Sequence, residues 1–223
     1  MAKIEYSKKY EAEDGTILPG VTTILQNLGW NKSILMKWAA KMARQEKDFQ
    51  KESTIAAEIG TLAHALAEYY FTGEAPDPEI VAAYSPNQIT KAENAVESLK
   101  EWEKGSNLTA TFTEKNLVSN IYRYGGSADI IFTNKDGDFE LADIKTGNGT
   151  YADYILQLAA YAKAAEETLK RPVSRVHVLR FGKNKSATFH HSSWGQRDID
   201  LAFNVFKLLL QVHAMRPMIE ELL

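Results

Sequence analysis

Two strand-forming runs meet at one short turn, and that turn leaves little freedom in how they pair. Ser127 to Thr133 and Asp138 to Ile144 flank Asn134-Lys135-Asp136-Gly137, where Gly137 supplies the positive backbone angle that a tight turn requires. If Lys135-Asp136-Gly137 form a three-residue loop, a type I turn closed by a glycine bulge, Asn134 faces Asp138 and counting outward sets Asp129 directly opposite Asp143. A two-residue loop pairs Asp129 with Ile144 instead. Because side chains alternate along a strand, that slip throws the two aspartates onto opposite faces. The three-residue loop is the predicted one.

Asp143 and Lys145 are two residues apart and share a face, which in this register also carries Asp129. Two carboxylates and a lysine on paired strands are the groups needed to hold a divalent cation against a phosphodiester and to activate water. The same charges beside apolar Ile130, Ile131, Phe132 and Leu141 also fit an ordinary solvated sheet edge, so the pattern alone leaves both readings open.

Upstream, residues 4–18 read as a short strand or hairpin, and Val21 to Leu28 as a helix. Lys32 to Gln50 is amphipathic, with Ile34, Leu35, Trp38, Ala39 and Met42 at helical spacing. Lys37, Lys41 and Arg44 line another side, either as a DNA contact or as a solvated face. His64 lies in the next helix, roughly Glu52 to Phe71. Gly60 precedes it, and a glycine inside a helix costs ~1 kcal/mol relative to alanine, which suggests close approach of another backbone or a ligand. Pro76, Pro78 and Pro86 interrupt the chain before a helix from Asn87 to Lys104, and Leu108 to Glu114 alternates as a half-buried strand.

Gly125 and Gly126 read as a bend or bulge, as room for a phosphate backbone, or as both. Beyond Lys145, Tyr151 to Lys170 reads as a helix whose Gln157 and Tyr161, at i and i+4, can reach one site. Strands at Ser174 to Phe181 and about Ala187 to His191, then a helix from Gln196 to about Met215, close the pattern. Lys170, Arg171, Arg175, Arg180, Lys183 and Lys185 make this the densest basic segment, suited to tracking phosphates. Trp194, Tyr151 and Tyr154 can stack on bases or pack in the core.

Helices, three strands, a helix, two strands and a helix imply an α/β sandwich with a mixed central sheet. At 223 residues and 44% apolar content, the chain can bury a substantial core and is expected to form one domain, with 1–105 a mainly helical N-terminal portion and 106–223 the α/β core. The net charge of −3 argues for local binding patches rather than a basic coat. The absence of cysteine excludes disulfides, zinc-thiolate sites and an iron–sulfur cluster. Met1 to Ser7 is polar and lacks a signal-peptide core, and no apolar run approaches membrane-spanning length, so the expected place is the cytoplasm.

Five stretches in order, Gly60-Thr61-Leu62-Ala63-His64, Glu114 on an earlier strand, Gly126-Ser127-Ala128-Asp129, Asp143-Ile144-Lys145-Thr146 and Gln157 with Tyr161, resemble the PD-(D/E)xK phosphodiesterase superfamily. More narrowly they resemble its RecB-like exonuclease branch, which includes phage nucleases and the mitochondrial genome maintenance exonuclease. The resemblance implies a restriction-endonuclease-like core that hydrolyses DNA from a free, single-stranded end, leaving a 5′-phosphate and a 3′-hydroxyl. It implies one or two Mg²⁺ or Mn²⁺ ions held by Asp129, Asp143, the Ile144 carbonyl and His64 or Glu114. Lys145 would orient the attacking water, with Gln157 and Tyr161 positioning the substrate. DNA repair, recombination or phage DNA metabolism, in a bacterial or phage-infected cell, is the setting it suggests. A structure- or sequence-specific endonuclease would use the same centre, and a non-catalytic DNA-binding recombination partner is the third reading.

Overall fold

The structure is a computed structural model that describes residues 9–147, 149–181 and 189–223. A small hairpin, β1 (Tyr10–Glu11) and β2 (Ile17–Leu18), leads into α1 (Val21–Leu25), α2 (Lys32–Arg44) and α3 (Phe49–Thr72). A short α4 (Pro78–Val81) and a long α5 (Pro86–Ser106) precede three antiparallel strands, β3 (Thr109–Ser119), β4 (Tyr124–Thr133) and β5 (Phe139–Lys145). Then come α6 (Ala152–Leu169), β6 (Val173–Arg180), β7 (His190–Gly195) and α7 (Gln196–Glu220).

Local chemistry sets the main boundaries. Asp48 accepts hydrogen bonds from the Gln50 and Lys51 amides at 2.8 and 3.2 Å, satisfying N–H groups that have no partner within α3. Gly73, at φ 77°, ends that helix in the left-handed conformation that glycine adopts without steric cost. Ser85 and Gln88 form a reciprocal capping box at the start of α5, behind Pro86. The single helix expected over Lys32 to Gln50 is broken, because Glu46 takes φ 55° and a fresh helix begins after Asp48. Of the apolar stripe expected there only Met42 is buried, while Ile34 and Leu35 are exposed. Helical spacing identifies a stripe but not whether another element covers it.

The sheet order is β3-β4-β5-β6-β7. β5 runs parallel to β6 across α6, and the other neighbours are antiparallel. One face packs α1, α6 and α7 through Val21, Ile24, Leu158, Tyr161, Ile199 and Phe206. The other packs α3 and α5 through Leu62, Ala63, Leu99, Ile130, Phe132 and Ile144. With both faces covered, β5 is buried from Phe139 to Ile144, as expected of a central strand. Among the described residues no helix is long and apolar enough to cross a membrane.

The predicted turn forms. The Asn134 amide donates to the Asp138 carbonyl at 3.0 Å, the Gly137 amide to that of Asn134 at 3.0 Å, and Gly137 has φ 86°. Pairing runs from Thr133–Phe139 to Ile130–Ala142, so the next step in register sets Asp129 opposite Asp143. There the strands fork. β4 continues along β3 to Tyr124, and its other edge is taken by the Gly125 amide donating to Pro19 at 3.0 Å. β5 continues with β6 as far as the Lys145–Arg180 pair.

The glycine pair beside this fork makes room for protein rather than for phosphate. A Cβ on Gly125 would land on the Tyr10 side chain, and one on Gly126 on the Tyr161 ring. Gly60 allows α3 to approach the end of β5, since a Cβ there would lie 3.3 Å from Thr146 Oγ1. The last strand begins later than expected, at His190, and pairs Trp194 with Val176, where the indole packs partly buried against the core. Residues 4–8, Lys183, Lys185 and the expected start of that strand at Ala187 lie outside the described residues.

Because the Tyr161 ring leaves no space for a methyl group, Gly126→Ala is expected to destabilise the fold by about 1–3 kcal/mol, the usual cost of overpacking. Urea unfolding should show a lower midpoint at unchanged slope. An unshifted midpoint would mean that Tyr161 moves aside freely.

Candidate active site

The fork gathers charged groups from four elements. Past the Ile130–Ala142 pair, Asp129 Oδ2 accepts a hydrogen bond from the Ile144 amide at 2.7 Å, so a side chain takes over from the ladder. From α3, His64 Nδ1 lies 3.5 Å from Asp129 Oδ1 and 3.6 Å from Glu114 Oε1. Glu114 sits in β3 between the Thr113–Ile130 and Lys115–Ala128 pairs, hence opposite Asp129, with φ 46°. A non-glycine residue held at positive φ costs about 1–3 kcal/mol and persists where its surroundings over-determine it, typically at functional sites.

Asp143 and Lys145 project toward α6. Lys145 Nζ lies 2.6 Å from Asp143 Oδ2, a close ion pair that is the contact of that buried oxygen. The ammonium also donates to Gln157 Oε1 at 3.2 Å, and Gln157 Nε2 donates to the Tyr161 hydroxyl at 2.8 Å. Asp143, Lys145, Gln157 and Tyr161 therefore form one polar chain, with the Tyr154 ring 5.0 Å from Nζ. The single charged face expected for Asp129, Asp143 and Lys145 is divided. Asp143 and Lys145 keep the face set by alternation, whereas the Asp129 carboxylate turns into the gap between the strands. Alternation assumes a continuous ladder, and the ladder ends one residue earlier.

Burial raises the Asp143 carboxyl to about 6, with the Asp129 charge adding to the effect and Lys145 opposing it. Burial alone would lower both His64 and Lys145, but carboxylates outweigh it: Asp129 and Glu114 raise His64 to about 10, and Asp143 and Asp129 raise Lys145. Burial opposes ionisation of Asp129 as well, yet His64, Lys145 and the Ile144 amide lower its pKa. A protonated His64 thus lies between the Asp129 and Glu114 carboxylates.

The donor set suits a divalent cation. One ligand atom each from His64, Glu114 and Asp129 lies within 4.8 Å of the others, a mix of carboxylate oxygen and imidazole nitrogen of the kind that can hold a divalent metal ion. The buried Asp143 carboxylate, paired with Lys145, is a further acidic group near them, since the Asp129 and His64 charges act on it. Ile144 contributes its amide to Asp129 while its side chain is buried under α3 and α5.

Basic residues are less concentrated than the sequence suggests. Arg171 donates to the Gly137 carbonyl and stacks on Phe139, and Arg175 reaches Ser193, both toward the turn end of β6. Arg180 lies at the other end as the register partner of Lys145. Its buried Nε has no hydrogen-bond partner among the described residues. Lys37, Lys41 and Arg44 are exposed on α2. Tyr10 is a site neighbour that sequence reasoning missed: it covers Gly125, and burial together with the Glu114 charge raises its hydroxyl pKa. The glycine pair was its only trace, marking that something packs there without saying what.

A histidine raised above its usual 6.5 stabilises the folded state fully below pH 6.5, and that contribution is lost as pH climbs through about 10. Metal-free protein is therefore expected to lose thermal stability across that window, and His64→Gln to flatten the loss. Melting temperature against pH in chelator checks this, and equal slopes would contradict it. Mn²⁺ must displace the same proton, so its affinity should rise with pH and its binding should release about one proton, readable by calorimetry in buffers of differing ionisation enthalpy.

The sequence matches the family model of the PD-(D/E)XK nuclease superfamily over residues 36–218. No curated protein sequence matches significantly. Among solved structures, a proposed exonuclease from Eubacterium rectale aligns with TM-score 0.53 at 9% identity, over 72% of this chain and 66% of its own, so the chain spans about two thirds of that protein's length. An alkaline exonuclease from Laribacter hongkongensis aligns with TM-score 0.38 at 13% identity, over 75% and 88% of the two chains. The family match covers most of the chain and includes every element of the five-stranded mixed sheet: this protein belongs to the PD-(D/E)XK nuclease superfamily.

Proposed function

We propose that this chain is a metal-dependent deoxyribonuclease, and within that class an exonuclease acting at single-stranded DNA ends. The observation that carries the reading is the convergence of His64, Glu114 and Asp129 within 4.8 Å beside the Asp143–Lys145 ion pair at 2.6 Å. In this reading those three residues, Asp143 and the Ile144 carbonyl hold one or two Mg²⁺ or Mn²⁺ ions. A bound cation supplies charge to offset the scissile phosphate and lowers the pKa of water. The α3 and α5 helices share a buried cluster with β4, β5 and β6, which supports one nuclease domain over residues 1–223.

The chain's own residues divide the remaining work. Lys145, whose pKa is raised, stays an ammonium and so acts as a charge stabiliser rather than a base. It orients the attacking water and meets the negative charge that develops on the phosphate. Gln157 fixes the ammonium through its carbonyl and Tyr161 through its amide, so that the reacting groups are held for in-line attack. Burial keeps Tyr161 protonated, a neutral positioning group. Arg180, next to Lys145 in register, is placed to contact a neighbouring phosphate. Preference for single-stranded ends, and a role in DNA repair, recombination or phage DNA metabolism in the cytoplasm of a bacterial or phage-infected cell, rest on likeness to the family.

Digestion of end-labelled single- and double-stranded oligonucleotides with Mg²⁺ or Mn²⁺, alongside closed circular single-stranded DNA, tests the reading. Linear strands should be shortened from an end and the circle left intact, whereas cleavage of the circle would make the enzyme an endonuclease. Lys145→Ala should lower kcat by roughly 10²–10³-fold, as loss of a donor to developing charge does, with DNA binding retained. An inactive parent protein that still binds DNA would instead favour a binding module. Arg180→Ala should raise KM more than it lowers kcat, because a phosphate contact outside the reacting atoms contributes uniform binding.

A further inference from the structure

α7 carries two apolar stripes, and the fold uses only one. Ile199, Ala202, Phe203 and Phe206 are buried against the sheet, with Leu209 and Leu210 packed partly buried beside them. On the opposite side Leu201, Leu208, Val212, Met215 and Ile219 are between 54% and 66% exposed, and Val205, in the same line, is half-buried with part of its side chain against the core. From Ala214 to Glu220 every residue is exposed, so the last turns of the helix project beyond the body. A short helix standing free in water is marginal on propensity alone, and an uncovered apolar stripe along it marks a contact surface.

The spacing identifies what fits there. Leu201, Leu208 and Met215 recur every seven residues, and Val205, Val212 and Ile219 recur every seven in the intervening positions. Written as heptads, the a positions from Val205 onward, Val205, Val212 and Ile219, are β-branched and the d positions Leu201, Leu208 and Met215 are not branched at Cβ, the combination that selects a parallel, two-stranded coiled coil. Asp198, one heptad before Val205, is the charged a position at which the apolar seam begins. In a parallel pair Gln211 at g meets Arg216 of the second copy at e, so no like charges oppose across the seam. Pro217 falls at f, farthest from the seam, where its missing N–H disturbs the intrahelical ladder but no contact between helices. Met218 at g, 64% exposed, and Leu222 just past the helix end, 79% exposed, extend the same apolar surface. The body touches the stripe at Val205 and leaves it open from Leu208 onward.

We propose that this outer stripe of α7 is the seam of a parallel, two-stranded coiled coil formed with a second copy of this chain. The interface is isologous about a two-fold axis along the helices, and it leaves the fork between β4 and β5 out of the contact.

Mass measurement by light scattering across a dilution series tests it. The full chain should have twice its 25.0 kDa mass, and the double variant Leu208→Glu, Val212→Glu should show a twofold drop in mass with its helical signal and nuclease activity kept. Orientation is read separately, because the chain has no native cysteine. Leu201→Cys and Met215→Cys, ~21 Å apart along the helix, should each form a covalent dimer under mild oxidation. Any one of four results would overturn the proposal: a monomer at every concentration, a trimer, crosslinking at only one or at neither of the two positions, or a monomer whose α7 stripe instead binds lipid vesicles.

Discussion

Everything at the candidate site depends on where the β4–β5 ladder stops. Up to Ile130 and Ala142 the strands are joined by ordinary pairing. One step further β4 is claimed by β3 and the Pro19–Gly20 segment, while β5 stays with β6. The strand ends separate with a carboxylate on each, and backbone amides in the gap need new partners. Asp129 satisfies the Ile144 amide, which ties the separated strands through a side chain and fixes that carboxylate facing His64.

Concentrating charge in a covered fork is energetically costly, and the molecule offsets it by pairing. Burial raises Asp143 and opposes ionisation of Asp129, while Lys145 and His64 supply the compensating positive charge. In the metal-free state the imidazolium of His64 bridges two carboxylates. In the proposed reading, a divalent cation entering the same place would displace that proton. The left-handed Glu114 belongs to this arrangement too. Strain of that kind is tolerated where a site needs a side chain that regular strand geometry would not deliver.

Much of this was legible in the chain. Asn134 to Gly137 defined the turn, the turn defined the register, and helix and strand types followed from period and from capping residues such as Asp48 and Ser85. What escaped were outcomes decided between distant segments. The apolar spacing of Ile34 and Leu35 is sound helical patterning, yet little packs on α2 and both remain exposed. Gly125 and Gly126 announced a close approach, but whether the visitor was a phosphate or a side chain depended on where Tyr10 and Tyr161 came to rest. The basic residues of β6 are close in sequence but are split between the two ends of an extended strand.

By itself, then, the sequence determined which residue types are present, the register of the hairpin that sets Asp129 opposite Asp143, and the i,i+4 relation of Gln157 to Tyr161. These are local quantities, governed by turn chemistry and by the periods of strand and helix. Only the tertiary structure decided that His64 reaches across from α3, that Glu114 is held left-handed opposite Asp129, and that Asp129 leaves its expected face for the gap. The last of those follows from the competition of three segments for the edges of β4, and the other two from how distant elements pack together, a long-range balance of hydrogen bonding and burial that no local pattern encodes.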